Sequence, residues 1–242
     1  MPAGLRRASL ARNRLTLRGS IADDGRTMRR LLSTLALALV FLSQAAAQQT
    51  ALTDAQIKSA EIEIPQLVEI LGLEPGMTVA DVGAGFGAWT TRLSRWLGPS
   101  GRVYATDLGA TQLAQLRQSV EKEKLTNVTV LEGAPASTNL PAACCDAILI
   151  RDAYHHLTDP DAMVRSFAAS LKPGGRLAVI DFPPRPNTEV PAGVRANRAG
   201  HGVPPEIVQR EGGAALTHVR TIPDWAPNSQ PASLFLVLFR KP

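Results

Sequence analysis

Val79-Ala-Asp-Val-Gly-Ala-Gly-Phe-Gly-Ala88 reads as a short apolar strand that ends beside an acid, then three glycines at alternate positions leading into an amphipathic segment. Glycine at 83, 85 and 87 lets the backbone turn sharply and approach a ligand that a Cβ would push away, and the N–H groups of the following helix point at that ligand. A dinucleotide fingerprint, G-x-G-x-x-G, needs its third glycine one place later, where Ala88 stands. Asp81 beside the loop also disfavours a bare pyrophosphate, because a carboxylate and a phosphate repel in one pocket. The pattern therefore favours a nucleotide-like ligand that carries positive charge. A turn built only to pack a helix close on a sheet would use the same glycines, so the neighbouring segments have to separate the two readings.

Outward from this loop, strands and helices alternate. Residues 53–71 have helical spacing, with Thr53 as N-cap and Pro65 expected to break or kink the helix. Strands are expected at 77–82, 102–106, 128–131, 147–150 and 176–180, with helices at 88–97, 111–124 and 160–171. This alternation predicts an α/β fold, Rossmann-like, with a mostly parallel sheet and helices on both faces. Residues 182–205 are rich in Pro, Arg and Gly without periodicity, and a loop of that length in a compact domain is usually a lid or binding loop. A weak helix at 206–215 and strands near 217–222 and 234–239 complete the chain, which shows no internal repeat.

The formal net charge of +5 is concentrated at the start of the chain. Residues 1–47 hold eight arginines against Asp23 and Asp24, whereas the rest holds 18 basic and 19 acidic residues. The folded part thus lacks the basic footprint of a nucleic-acid binder, and no nucleic-acid partner is expected. Met28-Arg-Arg30, the apolar run 31–42 and Ser43-Gln-Ala-Ala-Ala-Gln48 have the order of a secretory signal cleaved after Ala47. Twelve residues make a helix of about 18 Å, short of the ~30 Å hydrocarbon core, so no stable membrane span is expected after cleavage. The expected organisation is a non-native or disordered leader at 1–27, a signal peptide at 28–47 with Met28 as the start, and one domain at 48–242 in an exported, periplasmic protein. An Arg-rich organellar transit sequence is the rival reading of the leader. The only cysteines, Cys144 and Cys145, are adjacent and cannot close a normal unstrained disulfide, so they are read as buried small hydrophobes.

Four stretches, in this order and spacing, carry a family resemblance: Asp81-Val-Gly-Ala-Gly-Phe-Gly87, Tyr104-Ala-Thr-Asp107, Tyr154-His-His-Leu-Thr-Asp-Pro160 and Leu171-Lys-Pro-Gly-Gly-Arg176. Over residues 73–181 the chain resembles the class I S-adenosylmethionine-dependent methyltransferases, particularly the small-molecule branch that includes the ubiquinone/menaquinone-type enzymes. The resemblance implies a seven-stranded sheet whose last strand runs antiparallel, and S-adenosyl-L-methionine as cofactor. It further implies that Asp81 and the backbone of Gly83, Ala84, Gly85 and Gly87 hold the methionine portion, and that Asp107 accepts from the ribose hydroxyls. Leu108, Gly133, Ala134 and Arg151 complete the implied cofactor contacts. The family often places an acid after a glycine following the third strand, to accept from the adenine amino group; here the pair is Gly133-Ala134. Loss of one charge-assisted hydrogen bond costs ~1.5–3 kcal/mol, leaving backbone groups at 134–136 to read the adenine edge.

Methyl transfer from a sulfonium needs the nucleophile aligned and desolvated more than it needs a dedicated catalytic group. Candidates for catalysis follow the fourth strand: Asp152, Tyr154, His155 and His156, with a histidine as base and His201 next in line. Local structural roles for the paired histidines remain open at this point. No zinc or thiolate spacing is present, the histidine pair alone has too variable a direction to define a site, and no metal is expected. The expected partner is a small-molecule methyl acceptor bound between the 151–156 loop and the 182–205 insertion, and the sequence leaves the oligomeric state open. Two alternatives stand beside the methyltransferase: a noncatalytic exported ligand-binding or scaffold protein on the same fold, and a nicotinamide-dependent oxidoreductase.

Overall fold

The computed structural model describes residues 52–242, and the expected leader and signal segment lie outside the described residues. Helix α1 (Asp54–Leu71) starts at a capping box in which the Thr53 hydroxyl accepts from Gln56 N–H and the Gln56 side chain accepts from Thr53 N–H. It ends at Gly72, whose left-handed conformation turns its N–H back to the carbonyls of Val68 and Glu69. Contrary to expectation, the helix runs through Pro65 without a break. Pro65 lies on the exposed face, as does Glu61 one turn earlier, so the carbonyl left without its N–H partner faces water.

The remaining elements follow in alternation: β1 (Thr78–Val82), α2 (Ala88–Leu97), β2 (Arg102–Asp107), α3 (Ala110–Lys122), β3 (Val128–Glu132), β4 (Cys145–Arg151), α4 (Pro160–Ser170), β5 (Leu171–Asp181), α5 (Pro205–Gly212), β6 (Thr217–Ile222) and β7 (Phe235–Arg240). They form one seven-stranded sheet in the order β3-β2-β1-β4-β5-β7-β6. The first five of these pair in parallel, and β7 is inserted antiparallel to both β5 and β6. The order reverses between β1 and β4, so a crevice opens at the carboxyl ends of β1, β2 and β4.

Period-two alternation splits the core between the two faces. Val79, Leu149, Ile180 and Leu236 point toward α1 and α2, whereas Ala80, Ile148, Val179 and Val237 point toward α4 and α5. The inner strands are buried on both sides, which explains their near-continuous apolar sequence.

Two further expectations are corrected. Cys144 and Cys145 are joined as a vicinal disulfide. They sit where an irregular turn, with Ala143 in the left-handed region, enters β4, and the β4–β5 register shifts directly after Cys145. The 182–205 insertion is also tied down more than a free lid would be. Its short 3-10 turn at Ala196–Arg198 buries the Arg198 side chain against Glu211 of α5 at 3.0 Å, and Arg195 pairs with Asp161 of α4 at 2.7 Å.

Candidate active site

The loop from β1 to α2 shows which glycine serves a ligand. Gly83, Gly85 and Gly87 all have positive φ. A Cβ at Gly83 would meet Ala153 Cβ at 2.7 Å and one at Gly87 would meet Leu116 Cδ1 at 2.7 Å, so those two are required by packing. At Gly85 a Cβ would meet nothing within 4 Å. Gly85 instead borders open space on both sides, where a bound molecule can come against bare backbone.

That space is a bent cleft of two chambers that share Gly83, Gly85 and Asp152 as lining. The larger, about 490 Å³, extends over the ends of β2 and β3 and is lined by Asp107, Leu108, Gln112, Gly133 and Ala134. The smaller, about 300 Å³, lies under α1 and is lined by Asp81, Ala84, Trp89, Arg151 and Gln230. Leu108 is one of the two large hydrophobic side chains that stand markedly exposed among the described residues, as suits a wall for a flat ring.

The carboxylates at the two chambers have different surroundings. Asp107 Oδ2 accepts from Gly85 N–H at 2.8 Å, and Oδ1 accepts from Leu108 N–H at 2.8 Å. The acid thus braces the glycine loop, and its remaining lone pairs suit two hydroxyl donors in the larger chamber. Asp81 is buried and accepts from the Thr90 hydroxyl at 2.6 Å. Burial, opposed by that hydrogen bond and reinforced by the charge of Asp107, pushes its pKa up to about 6.

Arg151 has the same chamber as Asp81 but is committed to structure. Its guanidinium makes a two-pronged pair with the Glu63 carboxylate of α1, at 2.8 and 2.9 Å, and lies 3.8 Å above the Trp89 ring. It also donates to the Ser229 hydroxyl and the Gln230 carbonyl. Trp89 Nε1 donates to the same Glu63 carboxylate at 3.2 Å, and Ser229 Oγ donates to it as well. Glu63 was not anticipated from sequence. Its signal was an acid in the buried stripe Ala60, Ile64, Leu67 of α1, where a charge survives only with partners. Gln112 and the hydroxyl-bearing Ser137 and Thr138, which line the larger chamber, also went unanticipated.

At the adenine end expected from the resemblance, Ala134 N–H is taken by the Ser137 carbonyl at 2.7 Å, and Pro135 has no N–H. The backbone donors expected at 134–136 are therefore reduced, and Ser137 and Thr138 supply the polar atoms on that wall.

The four candidates after β4 separate. Asp152 and His156 line the larger chamber. Asp152 holds φ 54°, and desolvation within the cleft, with the charge of Asp181, raises its pKa above the ordinary carboxylate value. Desolvation and the neighbouring His155 and His201 lower that of His156. His155 is buried and bonded through Nδ1 to Asp181 at 2.9 Å, and its backbone N–H donates to the same carboxylate. Tyr154 is turned away from the cleft. It is fully buried in the α4/α5 side of the core, where its hydroxyl donates to Glu211 at 3.0 Å. Its expected catalytic position is not met, because the 3-10 turn Tyr154–His156 sends successive side chains in different directions. The insertion does meet the loop: Phe182 and His201 bring their rings to 4.7 and 4.9 Å from that of His155.

Sheet order, the antiparallel β7 and the crevice over β1 and β2 together define the Rossmann-like fold of the class I methyltransferases. Residues 79–175 match the family described as "Methyltransferase domain". That match marks this stretch of the chain as similar to methyltransferase domains. It is 33% identical over 116 residues to the ubiquinone/menaquinone biosynthesis C-methyltransferase of Shewanella sp. (strain W3-18-1), covering 48% of this chain and 46% of that protein. The match to the same-named protein of Pseudomonas paraeruginosa is also 33%, over 48% of this chain and 45% of the relative. The chain thus matches about half the length of these curated relatives. Among solved structures, a SAM-dependent methyltransferase from Aquifex aeolicus superposes with a TM-score of 0.64 at 24% identity, over 83% of this chain and 98% of that one. A glycopeptide N-methyltransferase complexed with sinefungin gives 0.58 at 16% identity, over 79% and 88%.

Proposed function

We propose that this protein transfers a methyl group from S-adenosyl-L-methionine to a small molecule bound at the His156 end of the larger chamber. The observation that carries the reading is the bent cleft around Gly85, with Asp107 at one side and the buried Asp81 at the other. Its residues fit the cofactor. Asp107 has lone pairs for the ribose diol, Gly85 leaves room for close approach, and Asp81 offers a carboxylate to a cationic ammonium or sulfonium. When bound, the cofactor supplies the activated methyl group. The chain's own work is to hold the acceptor in line, exclude water, and accept a proton at His156 Nδ1 or Nε2 where the acceptor is an oxygen or carbon acid.

The fit to a ubiquinone/menaquinone-type acceptor rests on the curated relatives over half their length, and a small aromatic or enolisable acceptor is the class we infer. Export belongs to the same proposal and is supported by Arg29-Arg30, the apolar run and Ala45-Ala-Ala47. N-terminal analysis of protein from the native host is expected to begin at Gln48; retention of Met28 would overturn export with cleavage.

S-adenosylhomocysteine should raise the melting temperature of the protein by mass action. Asp107→Ala should lower its affinity ten- to a hundredfold or more, since each hydrogen bond to a charged group contributes about 1.5–3 kcal/mol. Because Asp107 also braces Gly85, Asp107→Asn provides the comparison that keeps one acceptor oxygen. Equal ligand-induced shifts in parent and both variants would remove Asp107 from the cofactor site.

A further inference from the structure

Three of the chain's four histidines, His155, His156 and His201, meet at one point in the fold, although the last is far from the other two in sequence. One coordinating atom from each of His155, His156 and His201 lies within 4.8 Å of the other two. In a tetrahedral site with bonds of about 2.0–2.1 Å, ligand nitrogens stand about 3.3 Å apart, so the three rings would close up by side-chain rotation on taking an ion.

The surroundings are built for this meeting. His155 uses Nδ1 on the buried Asp181 carboxylate, which leaves Nε2 as its free coordinating atom and fixes the ring. A carboxylate behind an imidazole is the arrangement that orients metal-bound histidine and raises its basicity. His201 is delivered by its flanking glycines. A Cβ at Gly200 would stand 2.8 Å from the Arg185 carbonyl, and one at Gly202 would stand 2.7 Å from the Pro183 carbonyl. Only glycine at both positions lets this strand of the insertion lie against 182–185, where His201 and Arg185 pair as an isolated bridge. Two carboxylates, Asp181 and Asp152, stand within the same group of atoms as His155 and offset added positive charge. The Arg185 guanidinium is drawn over the Phe182 ring at 4.5 Å.

We propose that His155, His156 and His201 form a binding site for a borderline divalent cation of the Zn²⁺ type. Three imidazoles leave coordination positions open, and His156 and Asp152 place those positions at the wall of the larger chamber. There the ion would take an oxygen of the methyl acceptor and favour its ionised form, the proton leaving to solvent, and with the ion bound His156 would serve as a ligand in place of its role as proton acceptor. This last role rests on the methyltransferase reading, whereas binding of the ion does not.

The test uses untagged full-length protein, stripped with chelator, titrated with Zn²⁺ by calorimetry and with Co²⁺ by visible absorption, without S-adenosylmethionine. One ion per chain is expected, with Kd of about 1 μM or tighter and a tetrahedral or five-coordinate Co²⁺ band. His201→Ala should weaken binding at least about a hundredfold while retaining S-adenosylhomocysteine binding, and Asp181→Asn should weaken it about 10–100-fold. His218→Ala, at the remaining histidine, should leave it unchanged. Binding weaker than about 100 μM in the parent, or equal affinity in parent and His201→Ala, would overturn the site. Ion binding without S-adenosylhomocysteine binding would refute the cofactor reading alone.

Discussion

Asp81 carries the clearest pH signature in the molecule. Its pKa is raised to about 6, chiefly by burial, against an ordinary value of 3.8. The folded state therefore binds a proton more tightly than the unfolded chain does. The resulting stability is fully present below about pH 4 and is lost as pH rises through 6, by about 3 kcal/mol at 1.36 kcal/mol per pKa unit. Between pH 4 and 7, Asp81→Asn is expected to gain about that much relative to the parent in urea unfolding of the ligand-free protein. A ligand that carries an ammonium reverses the preference, so affinity for S-adenosylhomocysteine should rise from pH 5 to 7 in the parent and stay flat in Asp81→Asn. A stability difference independent of pH would show that Asp81 is ionised throughout. Among individual residues, Asp107 and Gly85 were legible in sequence because one ends β2 and the other lies in the glycine loop after β1, positions the strand pattern marks whatever the packing. The directions of Tyr154, His155 and His156 were not, since a 3-10 turn assigns them from backbone detail that residue spacing does not encode.

Among the elements, α1 is joined to the carboxyl end of β4 through a buried ion pair. Glu63 and Arg151 are both almost wholly excluded from solvent, and Trp89 and Ser229 complete the set around them. Removal of one partner leaves the other charged and desolvated, which costs about 3–5 kcal/mol. Glu63→Ala is expected to lower stability by that amount in chemical denaturation, whereas Glu61→Ala, at the exposed pair with Arg92, should change it by less than about 1 kcal/mol. Similar small losses in both would show that Arg151 finds water or another partner. Most strands and helices were readable because alternation and capping are local: α2 and β6 fall at the expected bounds, and the apolar runs of β4 and β5 mark inner parallel strands. Pro65 misled because its cost depends on which face it occupies. The anchoring of the insertion was hidden because Arg195 and Arg198 find Asp161 and Glu211 only in three dimensions.

In the assembled domain, the bent cleft sits where the strand order reverses, and both of its chambers follow from that topology. The sheet and the ligand loop were legible as a whole because the glycines, Asp81 and Asp107 recur at strand ends. The histidine cluster was not, since it needs the insertion to fold back across β5. Among the described residues no helix is long and apolar enough to cross a membrane. The central claim, that the bent cleft is an S-adenosylmethionine site, is tested most directly by calorimetry of the full-length protein with S-adenosylhomocysteine and, separately, NADH. The account predicts one S-adenosylhomocysteine per chain with micromolar affinity and no measurable heat from NADH. Binding of NADH, or the absence of S-adenosylhomocysteine binding to folded protein, would contradict it.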